Sequence, residues 1–448
     1  MKLLLPIRLL RLARWAAAAA LAGCASVPPL PAEAPPQAVA CPAGLPEGTR
    51  CLGGRDSAGA HYLAAVPARW NRVLVVHAHG GPLLGEPQAE RVIEDLQRWS
   101  IMVRAGYAWV GSSFRQGGVA VRAAAEDTER VRRIFVAHVA RPEHTVLHGQ
   151  SWGASVAAQG AGMFTEGRPY DAVLLTSGVL GGGTRSYDFR LDLRVVYQHL
   201  CQNHPRPDEP GYPLWMGLPA GSTMTQAELA RRARECLGLG LPPAQRTPEQ
   251  ARRLRTIVDV IRIPEASVQG HLNWATFHFQ DIATKRTGGR NVFGNVGARY
   301  TGSPDDAALN AAVARYAADP EAVKAFGADT DPTGRIPVPV LTVHAIHDPV
   351  AFVELEHRFG ETMRAAGSAD RLVQVFTEHA EHSYLADPLY PALLQQLLAW
   401  QRGGARPTQA GVAEACRAHE VTWGPGCRMV VGYEPPPLDA RMAPRQRP

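Results

Sequence analysis

A short run of residues, Gly149-Gln-Ser151-Trp-Gly153, constrains the fold of this chain more than any other feature. It follows a strand-like run at 144–148 and precedes a helix-forming run at 154–162. In such a tight strand-to-helix turn, side chains on either side of the serine would clash, which explains the flanking glycines. The pattern predicts that Ser151 is raised above the edge of a parallel sheet, within reach of a histidine. The alternative is a serine that only shapes the turn.

A second glycine-rich run, His79-Gly-Gly81-Pro82, follows an early predicted strand at 72–76. Glycines in such a loop let backbone N–H groups point at the negative charge that develops on a reacting oxygen. Pro82 has no N–H to contribute. The predicted donors of this oxyanion hole are therefore Gly81 and Trp152, the residue after the serine.

Two later strands each lead to a residue that can complete a catalytic triad. Asp348 lies just past the predicted strand 338–344, and His382 follows the predicted strand 371–376. One predicted helix, at about 352–366, and one strand separate them, as in a single βα repeat. The chain order serine, aspartate, histidine differs from the orders of chymotrypsin and subtilisin. We therefore predict Ser151, Asp348 and His382 as nucleophile, acid and base.

Each of these assignments has a competitor. Asp348 precedes Pro349, and because Asp-Pro also begins many helices, Asp348 is alternatively a helix cap. Asp331 is the poorer acid because it precedes the late strand rather than following it. His379 lies in the same loop as His382, and we predict that His379 is a solvated loop residue.

Two pairs of histidines have a spacing that metal ligands use, namely His77 with His79 and His344 with His347. No cysteine or carboxylate cluster nearby completes four ligands, so the prediction is a structural role rather than a zinc site. The predicted chemistry needs no cofactor, because the serine attacks a carbonyl carbon and water later releases the acyl group.

The predicted strands fall into two groups, which we interpret as the halves of one α/β core at 47–180 and 336–402. The segment between them, 181–335, lacks a parallel-strand pattern and is far longer than an ordinary βα connection. We predict that it forms an inserted, mostly helical lid. Residues 403–448 are rich in proline and are predicted to form a strap on the core.

Four places in the lid carry residues that begin helices, an N-cap side chain with a glutamate or a proline after it. They are Thr225 with Glu228, Thr247 with Pro248, Ser303 with Pro304, and Asp319 with Pro320. Four aromatic side chains of the lid are predicted either to line a substrate pocket or to form the lid's own core. They are Trp215, Trp274, Phe277 and Phe279.

The first residues of the chain are typical of an export signal. Four basic residues accompany an apolar stretch at 15–22 that is too short to span a bilayer. Leu21-Ala-Gly-Cys24 matches the site at which bacterial lipoproteins are cleaved and lipidated. The sequence predicts a signal peptide at 1–23, lipid on Cys24, an outer-membrane location and a proline-rich tether at 24–46. An ordinary secretory signal is the alternative.

Four of the six net positive charges lie in residues 1–23, so the basic balance does not indicate a nucleic-acid partner. Besides Cys24 there are six cysteines, and an even number is typical of disulfides in an oxidising compartment. Six cysteines allow about fifteen pairings. Proximity in the sequence favours three bridges: Cys41–Cys51, Cys201–Cys236 and Cys416–Cys427.

With these motifs the chain resembles the α/β-hydrolase superfamily over residues 61–180 and 336–402. Its layout is similar to that of exported bacterial hydrolases of the tannase and feruloyl esterase type, which have large lids. The resemblance implies a mostly parallel central sheet flanked by helices, a large helical lid, and Ser151, Asp348 and His382 as the triad. Unlike many tannase-type enzymes, the chain has no cysteine beside Ser151 or His382.

Three functions fit these observations. The first is hydrolysis of a small or polymeric carboxylic ester. The second is peptide hydrolysis, because the segments around His79 and Ser151 also resemble proline iminopeptidases, which hold a free amine with acidic groups. The lid acids available for that role are Glu265, Asp281, Asp305 and Asp306. The third is a surface lipoprotein that keeps the fold without catalysis. The sequence sets neither the substrate nor the oligomeric state.

Overall fold

The computed structural model describes residues 32–448, so the predicted signal peptide and Cys24 lie outside the described residues. A ten-stranded sheet runs through this part of the chain. Its strands are β1 (Gln37–Val39), β2 (Arg50–Arg55), β3 (His61–Val66), β4 (Val73–Ala78), β5 (Ala108–Ser112), β6 (His144–Gln150), β7 (Ala172–Thr176), β8 (Val340–Ala345), β9 (Leu372–Thr377) and β10 (Met429–Val430). Within residues 32–448, no helix has the length and apolar character needed to cross a membrane.

The strands are arranged in the order β1-β2-β3-β5-β4-β6-β7-β8-β9-β10. Those from β5 to β9 are parallel, and antiparallel strands are added at both edges. This confirms the predicted mostly parallel sheet. Gln150 at the end of β6 lies opposite Thr176, and Ala345 at the end of β8 lies opposite Thr377. The carboxyl ends of β6, β8 and β9 therefore share one edge of the sheet.

Helices cover the sheet and form the segment that was predicted as a lid, residues 181–335. The helices of the core are α1 (Ala89–Arg98), α2 (Ser100–Arg104), α3 (Val121–His138) and α4 (Trp152–Met163). The helices between β7 and β8 are α5 (Gly183–Ser186), α6 (Asp188–Cys201), α7 (Gln226–Leu237), α8 (Pro248–Ile261), α9 (Glu265–Asn273), α10 (Phe279–Asp281), α11 (Asp306–Ala312) and α12 (Pro320–Thr330). The helices after β8 are α13 (Glu354–Ala365), α14 (Leu389–Gln401) and α15 (Gln409–Trp423). The segment between β7 and β8 is helical, as predicted.

The core is apolar on both faces of the parallel strands. Every residue of β4 and of β8 is buried, which is the pattern of parallel strands that helices cover on both sides. Trp99 and Trp109 are fully buried beside them. Because burying one large apolar side chain contributes about 1.5–3 kcal/mol, this layer stabilises the sheet.

The structure differs from the prediction at both edges of the sheet. Residues 37–39, predicted as part of the tether at 24–46, form the edge strand β1 and pair with β2. Residues 429–430, predicted as part of the strap, form β10 and pair with β9. Neither strand reaches the four residues needed to show an alternating pattern in the sequence.

Three disulfides join the predicted pairs of cysteines. They are Cys41–Cys51, Cys201–Cys236 and Cys416–Cys427. The first ties the segment after β1 to β2, the second joins two lid helices, and the third ties α15 to the loop before β10. Each bridge closes a loop of 10 to 35 residues, so the connectivity is local.

Candidate active site

The turn between β6 and α4 holds Ser151 in a strained backbone conformation, with φ 56° and ψ −121°. The Ser151 N–H donates to the carbonyl of Thr176 at 2.9 Å. A β-carbon on Gly149 would lie 2.3 Å from the Gly153 carbonyl oxygen, and one on Gly153 would lie 2.1 Å from the Ala78 carbonyl oxygen. No side chain fits at either position, which is why glycine flanks the serine.

The structure brings Ser151, His382 and Asp348 together. The Ser151 hydroxyl donates to His382 Nε2 at 2.8 Å, and His382 Nδ1 donates to Asp348 Oδ2 at 2.7 Å. These residues follow β6, β9 and β8 respectively, at the shared carboxyl edge of the sheet. The chain of hydrogen bonds has the geometry of a nucleophile, a base and a residue that orients the base.

Backbone N–H groups fix the carboxylate of Asp348, and a buried histidine lies beside it. Its Oδ1 accepts the N–H groups of Val350 and Ala351 at 2.8 and 2.9 Å. Its Oδ2 lies 3.6 Å from Nε2 of His344, whose Nδ1 is 3.2 Å from Glu356 Oε1. Burial by itself lowers the pKa of His344, but the hydrogen bond to Glu356 and the charges of Asp348 and Glu356 raise it above its usual value. Asp348 is thus held in one orientation toward His382.

Glu356, which was not predicted as a site residue, supports His344 from the first turn of α13. His344 was predicted only as a structural histidine, yet it is four residues before Asp348 at the end of β8. A histidine near the end of the strand that leads to the acid could therefore have been recognised in the sequence as a support for that acid. His347, its predicted spacing partner, is not part of this network.

The two predicted oxyanion donors are unoccupied backbone N–H groups. Within residues 32–448, neither the Gly81 N–H nor the Trp152 N–H donates a hydrogen bond. Trp152 is the first residue of α4, where the helix dipole favours a negative charge. Arg91 donates to the Gly80 carbonyl at 2.5 Å, and His278 donates to the Pro82 carbonyl at 2.9 Å. The loop is therefore anchored on both sides of Gly81.

Gln150 adds a link that the sequence analysis missed. Its amide nitrogen donates to the hydroxyl of Ser383 at 2.7 Å, which joins the turn before the nucleophile to the residue after the base. Ser383 itself has a left-handed backbone with φ 84°. The bond connects the β6 and β9 loops and fixes their separation.

His379 differs from the prediction of a solvated loop residue. Only 5% of its surface is exposed, and its Nδ1 has no hydrogen-bond partner in the described part of the chain. Burial lowers the pKa of His379. It makes no hydrogen bond to Ser151 or Asp348, whereas His382 bonds to both.

The four predicted aromatic residues have different environments in the lid. The Trp274 ring stacks on His278 with 4.8 Å between the ring centroids, and the guanidinium of Arg190 lies 4.4 Å from its centroid. Phe279 stacks on Phe293 and is fully buried, so it belongs to the lid core. Trp215 and Phe277 are half-buried, and the structure places no aromatic ring against either one within residues 32–448.

The candidate active site cannot be identified from the size of a cavity. Two cavities of about 590 and 580 Å³ are lined by lid residues 296–315 and 248–304 and do not reach the triad. A smaller cavity of about 130 Å³ lies beside the oxyanion loop, and its lining includes Pro82, Phe114 and Trp152. The hydrogen-bonded triad, and not the volume of a pocket, identifies the candidate site.

No protein-family model matches the chain, and neither does any curated protein. Among solved structures it is similar to a carboxyl esterase from the fungus Tuber melanosporum, with 13% identity over 75% of this chain and 77% of that one and a TM-score of 0.33. It is similar to a puromycin hydrolase, with 14% identity over 83% of this chain and 40% of that one and a TM-score of 0.39. It is also similar to feruloyl esterase B from Aspergillus oryzae, with 12% identity over 84% of this chain and 87% of that one and a TM-score of 0.39.

Similarity at this level carries no argument about activity, so the fold is assigned from the chain's own architecture. The parallel strands are ordered β5-β4-β6-β7-β8-β9, with an antiparallel β3 beside β5. Ser151 occupies a sharp turn after β6, and the residues that follow β8 and β9 bond to it in sequence. A helical insertion separates β7 from β8. The chain has the α/β-hydrolase fold.

Proposed function

We propose that this protein is a serine hydrolase that cleaves carboxylic esters through an acyl-enzyme intermediate. The observation that carries the proposal is the unbroken hydrogen-bonded chain from Ser151 through His382 to Asp348. A protein that only binds a ligand has no need of a strained serine aimed at a histidine whose orientation a carboxylate fixes. This argues against the non-catalytic alternative.

The proposed reaction has two halves. In the first, His382 Nε2 takes the proton of Ser151 as Oγ attacks the ester carbonyl, and the same proton then goes to the departing alcohol. In the second, water loses a proton to His382, attacks the acyl-serine and releases the acid. The N–H groups of Gly81 and Trp152 stabilise the oxyanion of both tetrahedral intermediates, a contribution of about 2.7–4 kcal/mol per donor in related machinery.

An ester is favoured over the aminopeptidase substrate because the acidic residues of the lid are engaged elsewhere. Glu265 pairs with Arg246, and Asp281 pairs with Lys285 at 3.0 Å. Asp305 caps α11, and Asp306 accepts a hydrogen bond from Ser303 at 2.6 Å. The four acids do not form one cluster that would hold a free amine.

We also propose export to the cell envelope, with lipid on Cys24. The three disulfides support an oxidising compartment, and the signal-like sequence ending at Cys24 supports the anchor. Cells that express the wild type and Cys24→Ala, labelled with radioactive palmitate, test the anchor. Label is expected on the wild type alone, and equal labelling of both would contradict lipidation at this cysteine.

A fluorophosphonate probe tests the proposed activity. It is expected to label residues 25–448 of the wild type and to fail on Ser151→Ala, whereas Ser155→Ala, in the helix that follows Ser151, is expected to label normally. His382→Gln is expected to lose labelling, and His379→Gln is expected to keep it at some cost in stability. Labelled protein is then assayed with para-nitrophenyl butyrate and with proline para-nitroanilide. Turnover of the anilide alone would overturn the ester assignment.

A further inference from the structure

Arg190 on the lid helix α6 is a buried cation without a carboxylate partner. Only 5% of its surface is exposed, and within residues 32–448 no aspartate or glutamate oxygen lies within 4.0 Å of it. Residues 1–31 contain neither aspartate nor glutamate. Burial lowers the pKa of Arg190 to about 9, so the guanidinium keeps its charge at neutral pH. A buried charge is costly unless something pairs with it.

The acidic residues closest to it in sequence are already paired with other arginines. Asp188 binds Arg447, and Asp192 binds Arg445 with 2.5 Å between Nη2 and Oδ2. Both partners come from the C-terminal tail. The two carboxylates that share α6 with Arg190 are therefore satisfied, and Arg190 is left without a counter-ion.

Aromatic rings surround the guanidinium but do not neutralise it. Its Cζ lies 4.4, 4.6 and 5.3 Å from the ring centroids of Trp274, Phe189 and Tyr187. Rings in these positions attract a cation and hold it in place. Among the described residues, the guanidinium makes one long hydrogen bond, 3.4 Å from Nη1 to the Ser186 carbonyl, and its buried Nε donates to no atom. Donors of the guanidinium thus stay available.

Two chains of contacts link the aromatic neighbours of Arg190 to the loops beside the triad. On one side, Trp274 stacks on His278, whose Nε2 donates to the Pro82 carbonyl next to Gly81. On the other side, the Phe189 ring lies 4.9 Å from His271, and His271 Nε2 donates to the Pro349 carbonyl next to Asp348.

Electrostatics agrees with these contacts. Burial, and after it the charge of Arg190, lowers the pKa of His271 to about 3, and the charge of His382 adds to the effect. The charges of both Arg190 and His382 therefore affect the pKa of His271. The aromatic neighbours of Arg190 thus connect it both to the loop that carries Gly81 and to the loop that carries Asp348.

We propose that Arg190 pairs with a carboxylate on the substrate, so that the enzyme acts on esters that carry a free carboxylate group. This inference rests on the proposed esterase function. A guanidinium that is already fixed by aromatic rings binds a carboxylate through charge-assisted hydrogen bonds with little loss of side-chain freedom. The carboxylate belongs either to the acyl part or to the alcohol part of the ester, and substrates of each kind separate the two sources.

Two pairs of esters test the proposal, each with a free carboxylate and its methylated, neutral counterpart. Mono-para-nitrophenyl adipate and its methyl ester vary the acyl part, whereas para-acetoxybenzoate and its methyl ester vary the alcohol part. The readout is the ratio of kcat/KM between the charged and neutral esters. In Arg190→Met, this ratio is expected to fall about tenfold to a hundredfold for one of the pairs, the range of a hydrogen bond to a charged group.

Arg252→Met is the matched control. Arg252 is exposed on the lid helix α8 and pairs with Glu249, so the variant is expected to keep the wild-type ratio. Comparing the ratios of the variants removes differences in intrinsic ester reactivity. An unchanged ratio in Arg190→Met would overturn the proposal and leave Arg190 as a packing residue.

The wild type alone decides the question if Arg190→Met does not fold. Adipate or para-hydroxybenzoate is then expected to inhibit hydrolysis of para-nitrophenyl butyrate competitively. Their neutral counterparts, dimethyl adipate and methyl para-hydroxybenzoate, are expected to be weaker inhibitors. Equal inhibition by the charged and neutral forms overturns the proposal. If no ester is turned over in a Ser151-dependent way, the esterase function fails and this inference fails with it. Ser151-dependent turnover without any preference for charge overturns this inference alone.

Discussion

At the scale of single residues, the approach of the oxyanion loop to α4 depends on Gly153. A β-carbon there would lie 2.1 Å from the Ala78 carbonyl oxygen and 2.4 Å from that of His79. The loop that carries Gly81 and the helix that carries the Trp152 N–H therefore meet at this glycine. Its role extends beyond the turn, because it sets the distance between the two proposed oxyanion donors.

Gly153→Ala is expected to push the loop away from α4, with loss of most activity. We expect the free energy of unfolding to fall by about 3 kcal/mol, the upper end of overpacking costs. Gly160→Ala, in the same helix, is the control, because its β-carbon would meet Ala125 and Leu147 only at ordinary contact distances of 3.5 and 3.8 Å. That variant is expected to gain about 0.5–1 kcal/mol, since alanine favours a helix. Urea unfolding measures both values, and equal effects would refute the argument.

At the scale of elements, the parallel strands were predictable because burial on both faces makes them continuous apolar runs. The runs before Ser151, Asp348 and His382 became β6, β8 and β9, each within two residues of its predicted bounds. Because parallel strands end at one edge, the strand pattern also predicted that the three residues would meet. The lid contacts of Arg190 were not predictable in this way, since they depend on how helices pack and not on any periodicity.

The first residues of the lid helices show which N-caps can be predicted from the local sequence. Thr247 forms a full capping box with Gln250, and Thr225 and Asp319 cap α7 and α12 as predicted. Ser303 does not cap α11, because Asp305 takes that position and accepts the Ala308 N–H at 2.9 Å. The Asp305 carboxylate, two residues farther on, competes for the same backbone donors, and the sequence gives both residues equal standing as caps.

At the scale of the whole molecule, the C-terminal tail fastens the lid to the rest of the chain. Arg445 and Arg447 bind Asp192 and Asp188 on α6, and Arg441 binds Glu354 on α13 at 3.1 Å. The partners of the first two pairs are more than 250 residues apart in sequence. No local sequence pattern indicates such pairs, so the predicted strap on the core at 403–448 did not include them. They also keep the carboxylates of α6 away from Arg190.

The ion pair between Arg445 and Asp192 is almost fully buried, with 1% and 5% of the two side chains exposed. Although burial itself lowers the pKa of Arg445, the charges of Asp192 and Asp188 raise it above its usual value. Removal of one partner leaves a buried charge unpaired, so Arg445→Met is expected to lower the free energy of unfolding by about 3–5 kcal/mol. The Tyr300 hydroxyl, which donates to Asp192 at 2.7 Å, remains as a partner.

A double-mutant cycle separates this pairing from general damage to the tail. Asp192→Asn keeps an oxygen for Tyr300 and removes the charge, so the double variant with Arg445→Met is expected to cost less than the sum of the single variants, by about 1–3 kcal/mol. Arg417→Met, exposed on α15, is expected to change the free energy of unfolding by less than about 0.5 kcal/mol. Urea unfolding of the four proteins gives the coupling energy. Strict additivity would mean that the two charges act independently and that the tail holds the lid by contacts other than this pair.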